Sequence, residues 1–548
     1  MRRDLDTLAS KPFDVLVIGG GILGACVAWD AALRGLGVAL VERGDFASGT
    51  SSNSLKIVHG GLRYLQHLDF RRMRESIRER SAWLRIASHL VEPLPILVPT
   101  QKKTLQARPL LRAALVLNDA VGWDRNRGLP SNRRLPPGRA ISRRECLELV
   151  PELKGPALTG GVLFHDARMY SSERLLLEVL DAACAAGATV ANYVECERRL
   201  SEEAHFTITE ARDAISGARV PIRSRVVVNT AGPATPVIAG RLIGRPGAIV
   251  KYSVALNLVV RSLGHRTAFA ISGTSRDPDA VVGLSKRQLF IVPWRDRSLI
   301  GTGHYSYEGD SGRFVLDEGY VATFLREVNA AWPGEPFRRD DVLLVHAGLL
   351  PIAAGPDRSG VRLLKRHQII DHARDGAPRV ISAVSVKYTT ARLLAEGVVD
   401  LTFRKLGRKP PRCSTATTPL PGASGGPPEA LTAEAHRLYG NVVDDEILDH
   451  LVHTYGVRYK RILAYRNSVP DWDERVVRDV PVIKAQFAHG VREEMALAPD
   501  DLLCRRTELG ARGTVSDGLV RCAAQVLAAE LGCEATLEDQ TAHPSRQS

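Results

Sequence analysis

A glycine-rich turn followed by a well-placed acid is the strongest chemical signal in this chain of 548 residues. The apolar run Val15-Leu16-Val17-Ile18 leads straight into Gly19-Gly20-Gly21-Ile22-Leu23-Gly24. A helical pattern (Ala25 to Arg34) follows, and a second apolar run, Val38 to Val41, ends at Glu42, eighteen positions beyond Gly24. Gly19 permits the tight turn, Gly21 lets backbone approach a pyrophosphate, and Gly24 lets the helix pack closely on the strand. The helix N-terminus offers N–H groups to phosphate oxygens. Glu42 is placed to accept hydrogen bonds from ribose hydroxyls, and an acid there disfavours NADP. Strand, turn, helix, strand and acid in this order predict a dinucleotide cradle, though the fingerprint alone does not choose between FAD and NAD.

Arg43-Gly44-Asp45-Phe46-Ala47-Ser48-Gly49-Thr50-Ser51-Ser52 comes next, small and hydroxylated. It suits a loop that wraps more phosphate, with Arg43, Ser51 and Ser52 as candidate ligands. It leads to Lys56-Ile57-Val58-His59-Gly60-Gly61-Leu62-Arg63-Tyr64-Leu65. By its residues alone, that block reads as a loop with an adjoining amphipathic helix.

Short apolar runs alternate with helical patterns up to about residue 405, which argues for α/β architecture. Strands are expected at Val15–Ile18, Val38–Val41, Val226–Asn229, Gln288–Pro293 and Arg379–Val384. Helices are expected at Phe70–His89 and Ser172–Ala186, the latter capped by Ser172 and ended at Gly187. Residues 414–428 are dense in Ser, Thr, Gly and Pro, and the sequence beyond them is nearly all helical in pattern. The expected organisation is an oxidoreductase region over 1–412, a linker over 413–428, a helical domain over 429–535 and a disordered tail over 536–548.

The composition is ordinary for a globular chain, 44% hydrophobic and 25% charged, with 74 Lys and Arg against 61 Asp and Glu. Positions 101–150 carry eleven cations against four acids, including Lys102, Lys103, Arg133 and Arg134. Such a segment suits an anionic membrane surface. With 5% aromatic residues and no zinc-finger or RNA-recognition signature, nucleic acid is not expected. The eight cysteines are scattered without a C-x-x-C pair, which implies reduced thiols and a cytoplasmic setting. No run of 18 apolar residues predicts a membrane span. His450 and His453 are three apart on one helical face without a third ligand, so no metal site is expected and a surface pair is.

The stretches GGGILGACVAWDAALRGLGVALVE and SGTSSNSLKIVHGGLRYL closely resemble the flavin-dependent glycerol-3-phosphate dehydrogenases, within the wider D-amino-acid-oxidase-like flavoproteins. The resemblance continues through GGVLFHDARMYSSERL, VVNTAGP, FIVPWRDRSLIGTGHYSYEGD and DDVLLVHAGLLP to HTYG and DDLLCRRTELGARG. It implies a Rossmann-like FAD-binding domain interleaved with a β-rich substrate domain, and a C-terminal all-α domain. It also implies non-covalent FAD and oxidation of sn-glycerol 3-phosphate to dihydroxyacetone phosphate. Electrons would pass to quinone or oxygen, with peripheral attachment to the cell membrane and a homodimer as further expectations. Arg63 and Tyr64 match the family's active-site pair, Arg366 a second substrate arginine, and Lys387 the lysine beside the flavin. His59 joins Arg63 and Lys387 as a catalytic candidate. Gly232 and Thr389 fall in blocks that line the cofactor, and His59, His304 and His346 are all eligible as the base.

Four positions depart from the family pattern. Leu350 replaces an arginine that anchors the substrate anion. Lys251-Tyr252-Ser253 lacks the family's following histidine, with Asn257 as its nearest counterpart. Ser385-Val386 replaces a glycine pair, and Leu23 an asparagine. Losing one charged contact to a phosphate costs about 1.5–3 kcal/mol unless another cation substitutes. These departures keep two alternatives open: oxidation of a different polyol phosphate, hydroxy acid or amine, and a flavin-binding protein without turnover.

Overall fold

The computed structural model describes residues 1–65, 67–101, 108–245, 250–276, 286–353, 361–513 and 515–532. The expected tail at 536–548 lies outside them. Five parallel strands form the heart of the first sheet, in the order Val380–Val384, Arg219–Asn229, Phe13–Ile18, Val38–Val41 and Thr189–Ala191. Their parallel-paired stretches, such as residues 226–228 of Arg219–Asn229, are mostly apolar because both faces are covered. Val15 and Val17 pack with Trp29, Trp83 and Leu175 on one side, while Leu16 and Ile18 pack with Ile222 and Leu242 on the other.

Every expected strand forms, with longer bounds in three cases. Val226–Asn229 is the end of Arg219–Asn229, whose first half pairs antiparallel with Thr207–Asp213. The two expected helices end earlier than their patterns, as Phe70–Ile86 and Ser172–Ala185. The second is capped by Ser171, which accepts the Arg174 N–H at 2.9 Å, and not by Ser172. The Ser172 hydroxyl is instead engaged by the Lys56 ammonium at 2.8 Å.

The second sheet has nine strands and carries the order Val342–Pro351, Tyr252–Arg261, Arg297–Tyr307, Lys286–Trp294, Ala268–Arg276, Val91–Gln101, Leu158–Met169 and Ile57–Val58, with Arg139–Ser142 beside Leu158–Met169. Its strands come from segments that alternate along the chain with those of the first sheet. The Ser/Thr/Gly/Pro-rich connection is packed down, because the Leu420 N–H donates to the Ile86 carbonyl at 2.8 Å and Leu420 is fully buried. Beyond it, helices Pro428–Tyr439, Asp445–Tyr455, Lys484–Glu494 and Asp517–Leu531 dominate. A two-stranded hairpin, Arg475–Val477 with Val480–Ile483, makes this region less than all-α. Among the described residues, no helix is long and apolar enough to cross a membrane.

Gly24 fixes how the helix Ile22–Leu33 meets the sheet. A Cβ at Gly24 would sit 1.9 Å from the Gly19 carbonyl oxygen, whereas one at Gly21 would touch only the Ser51 hydroxyl at 3.2 Å. In denaturant melts without added ligand, Gly24→Ala should lower the unfolding free energy by about 3 kcal/mol and Gly21→Ala by less than about 1 kcal/mol.

Buried histidines add a pH dependence. His346 is enclosed and donates from Nε2 to the Ala511 carbonyl at 3.0 Å, tying the strand Val342–Pro351 to the C-terminal region. Burial first, then the nearby Lys56 cation, pushes its pKa down to about 4. The unfolded chain binds the proton near pH 6.5 and the folded chain does not, so stability is lost as pH falls from 6.5 towards 4. His346 alone contributes a loss of roughly 3 kcal/mol. Melting temperature measured from pH 7.5 to 4.5 should fall, and His346→Gln should flatten that fall.

Candidate active site

The parallel strands deliver four loops to one edge. Ile18 opens into the glycine turn, Val41 into Glu42, Asn229 into Thr230-Ala231-Gly232, and Val384 into 385–390. At the turn, Gly19 has φ +110°, a conformation other residues avoid. The Glu42 carboxylate accepts the Gly20 N–H at 2.7 Å and the Gly44 N–H at 2.9 Å, one on each oxygen. Burial raises its pKa, and those two N–H groups oppose the rise. Each oxygen keeps a second lone pair for a hydroxyl donor.

Two helices begin at this edge, Ile22–Leu33 and Ala391–Lys405. Neither is capped by its own N-cap side chain, and they pack against one another in a single core. The dipoles at these helix ends favour an anion. Ser51 Oγ accepts the Ile22 N–H at 3.0 Å, which places this hydroxyl at the helix end. Ser52 donates to the Gly49 carbonyl at 3.0 Å and braces its own loop. Arg43 is exposed and donates to the Gly312 carbonyl at 3.2 Å, so it bridges to the second sheet's loops. The uncrowded Gly21, the twin helix ends and the lone pairs of Glu42 fit a dinucleotide that carries a diphosphate and a ribose diol.

The HGGLRY block folds as a turn that ends in the short helix Leu62–Leu65. Its glycines are dictated by crowding. A Cβ at Gly60 would meet the Arg80 guanidinium at 2.2 Å, and one at Gly61 the Tyr64 ring at 2.5 Å. Asp166 holds the turn, accepting the Gly60 N–H at 2.6 Å while paired with Arg80. Tyr64 is buried, and its ring has the Lys387 Nζ at 4.1 Å from its centroid and the Arg72 guanidinium at 4.6 Å. The His59 ring stands 6.0 Å away, edge-on. Arg63 lies in the same helical turn; its side chain is outside the described residues.

Lys387 is carried by a turn pinned by the two residues that follow it. Tyr388 donates its hydroxyl to the Ser172 carbonyl at 2.8 Å, and the buried Thr389 accepts the Trp83 indole N–H on its carbonyl at 3.0 Å. Arg366 is exposed. Its segment reaches the same neighbourhood, because Arg72 donates to the Lys365 carbonyl at 3.1 Å and Arg366 is among the cations that lower the Asp69 pKa, after the Arg72 contacts. Sequence reasoning missed Arg72. The only available signal was its place three residues after Asp69, which caps the helix and pairs with it at 2.7 Å.

The second sheet faces this region with Asn257, His304, His346 and Leu350. Register pairs Asn257 with His346, Ala255 with His304 and Ser253 with Leu350, all on one face. The same face meets the Gly49–Lys56 loop, since a Cβ at Gly348 would lie 2.9 Å from Thr50 and one at Gly301 3.1 Å from Leu55. Asn257 is buried and accepts the Thr302 hydroxyl at 2.8 Å. His346 is committed to Ala511 and is a poor base.

Lys56 is the other residue whose role the sequence concealed. Fully buried, its ammonium donates to Glu173 at 2.6 Å and to the Ser52 carbonyl at 2.8 Å, closing the loop that precedes His59. His450 and His453 are not a surface pair. His450 is buried, with Nδ1 3.1 Å from the Tyr170 hydroxyl and Nε2 3.2 Å from the Gln486 amide, and His453 stacks on Tyr170. Among the described residues no group of three or more His, Cys, Asp or Glu side chains could hold a metal.

Comparison with known proteins agrees with this geometry. Residues 14–401 match the model of the FAD dependent oxidoreductase family, and residues 413–537 match the C-terminal domain of alpha-glycerophosphate oxidase. The chain is 35% identical over 517 residues to a glycerol-3-phosphate dehydrogenase of Synechocystis, covering 92% of this chain and 90% of that one. It is 31% identical to glycerol-3-phosphate dehydrogenase 2 of Mycobacterium tuberculosis, over 92% of this chain and 82% of the relative. The fold is shared with the FAD-complexed glycerol-3-phosphate dehydrogenase of Bacillus halodurans, at a TM-score of 0.73 and 24% identity over 99% of this chain and 98% of that one. A dinucleotide cradle of this build, on a chain that follows such relatives over nine-tenths of its length, belongs to the glycerol-3-phosphate dehydrogenase branch of the FAD-dependent oxidoreductase family.

Proposed function

We propose that this protein oxidises sn-glycerol 3-phosphate to dihydroxyacetone phosphate. The observation that carries the reading is the meeting of Lys387 and Arg72 on the Tyr64 ring, beside the turn that starts the helix Ala391–Lys405. FAD, when bound, supplies the two-electron acceptor for the hydride that leaves C2 of the alcohol. The glycine turn, Glu42 and Ser51 would hold its adenosine and diphosphate, with Gly232 and Thr389 in the other loops that reach the same sheet edge.

The chain's own part is to position, to neutralise and to accept a proton. Lys387 orients the substrate's polar end beside Tyr64, and burial of Tyr64 strengthens the effect of that charge by excluding water. His59, half-buried at the edge of Tyr64, is placed to take the C2 hydroxyl proton. The missing arginine at Leu350 has neighbours that replace it. The segment 361–366 returns beside that strand, with the Leu364 N–H donating to the Pro351 carbonyl at 2.9 Å. Arg366 on this segment, with Arg72 behind it, supplies cations for the phosphate.

Leu350 also favours a second reading, in which the preferred substrate is a different polyol phosphate or a hydroxy acid. Steady-state rates over a panel of glycerol phosphates, other polyol phosphates and 2-hydroxy acids separate the two. sn-Glycerol 3-phosphate should give the highest kcat/KM, and a higher value for another substrate would overturn the first reading. Lys387→Met should lower kcat/KM by about a hundredfold, or roughly 3 kcal/mol, while the FAD content stays that of the wild type.

Electrons leave to quinone or oxygen, and the basic segment suits delivery at an anionic membrane. Val116, Leu117 and Trp123 are exposed on and just after the helix Arg108–Val121, with Leu68 and Phe70 exposed nearby. Arg112, Arg127 and Arg134 are exposed in the same stretch of chain; Lys102 and Lys103 lie outside the described residues. Exposed apolar side chains within a cation-rich segment suit an anionic bilayer surface without spanning it. Co-sedimentation with vesicles containing phosphatidylglycerol should exceed that with neutral vesicles and fall with salt, and Trp123→Ser should weaken it. Equal binding to both vesicle types would exclude this attachment.

A further inference from the structure

The C-terminal region reaches back across more than 450 residues to grip the loop that follows Glu42. Asp45 is buried in that loop. Arg506 donates to both of its carboxylate oxygens, Nη1 to Oδ2 at 2.7 Å and Nη2 to Oδ1 at 2.9 Å, and Arg505 adds Nε to Oδ2 at 2.5 Å. Asn192 donates to Oδ1 at 3.0 Å and to the Met495 carbonyl at 2.9 Å. Arg505 also donates to Asp501 at 2.6 Å, as does the Tyr193 hydroxyl at 2.8 Å. Two acids and two arginines thus balance in a buried site, and the arginines hold the Asp45 carboxyl well below the ordinary carboxylate range against the opposing effect of burial.

The grip is transmitted to the glycine turn through the next two residues. Phe46 is fully buried, and its ring edge lies 2.7 Å from where a Cβ on Gly20 would stand. The Ala47 N–H donates to the Gly20 carbonyl at 3.2 Å, and the Gly20 N–H donates to Glu42. The Tyr193 N–H binds the Gly44 carbonyl at 2.8 Å, holding the loop from its other side. None of these groups is free to shift without moving Glu42 or the turn.

We infer that the C-terminal region is a cofactor clamp, in which Arg505 and Arg506 are positioning residues that set the adenosine end of the FAD site through Asp45. This rests on the assignment of the glycine turn and Glu42 to FAD. A bidentate arginine–carboxylate pair fixes direction as well as distance, which a generic interface contact would not need. The Asp45 pairing itself, rather than the overall seating of the C-terminal region, is therefore what couples to FAD binding.

The test compares FAD dissociation constants by flavin fluorescence on full-length protein stripped of cofactor. Asp45→Asn and Arg506→Met should weaken FAD about tenfold or more, and Arg506→Lys should recover part of the loss. Arg458→Met is the control. It breaks a different contact of the same region, Arg458 to Asp181 at 2.7 Å, which does not touch the loop. It should lower the melting temperature yet leave the FAD constant within about twofold. Should Arg506→Met fail to fold, Arg505→Gln leaves the bidentate pair intact and is expected to weaken FAD about threefold. Wild-type FAD constants in Asp45→Asn, or equal weakening by Arg458→Met, would overturn the clamp alone. A wild-type chain that takes up no FAD would overturn both the clamp and the assignment beneath it.

Discussion

The close approach of one helix to one turn governs this molecule. Where Gly24 would carry a Cβ, the Gly19 carbonyl already stands, so the helix Ile22–Leu33 starts directly at the end of the first strand. That contact aims its N–H groups at the sheet edge where Val41, Asn229 and Val384 also end. Concentrated backbone dipoles at one edge suit a diphosphate, and the acid at Glu42 suits the ribose beside it. The second helix, Ala391–Lys405, starts at the same edge and brings Lys387 with it.

Around that constraint the chain builds two layers of support. Lys56 ties the phosphate loop to Glu173 at its far end, while the near end is fastened through Asp45. Buried ion pairs of this kind add little net stability compared with apolar packing, but breaking one partner is costly. Their value here is geometric: each fixes one end of the loop proposed to wrap the cofactor. The HGGLRY turn shows the same logic, with Arg80 and Asp166 occupying the space beside Gly60 and the Tyr64 ring that beside Gly61.

Much of the first sheet was legible in the sequence, because a fully covered parallel strand is a continuous apolar run and a nucleotide turn has few alternatives to glycine. Val38–Val41 was readable to the residue, and the family resemblance followed from contiguous blocks. Contacts between distant segments were not legible. Nothing in the spacing showed that Arg72, and not Arg71 or Arg74, turns towards Tyr64, or that Ser171 caps where Ser172 binds Lys56. The burial of His450 was hidden for the same reason, since the polar groups that satisfy it, Tyr170 and Gln486, lie 280 and 36 positions away. A hairpin in the helical region escaped because its strands are only three and four residues long.

In the proposed reaction the C2–H bond of a glycerol phosphate is held beside Tyr64 and Lys387, within reach of bound FAD. Anaerobic stopped-flow reduction of the purified holoenzyme, with C2-protiated and C2-deuterated sn-glycerol 3-phosphate, tests that placement most directly. Loss of the visible flavin absorbance, slowed severalfold by deuterium at C2, is the predicted result. A flavin that keeps its colour in excess substrate, or bleaches at a rate indifferent to deuterium when reduction is the slow step, would contradict it.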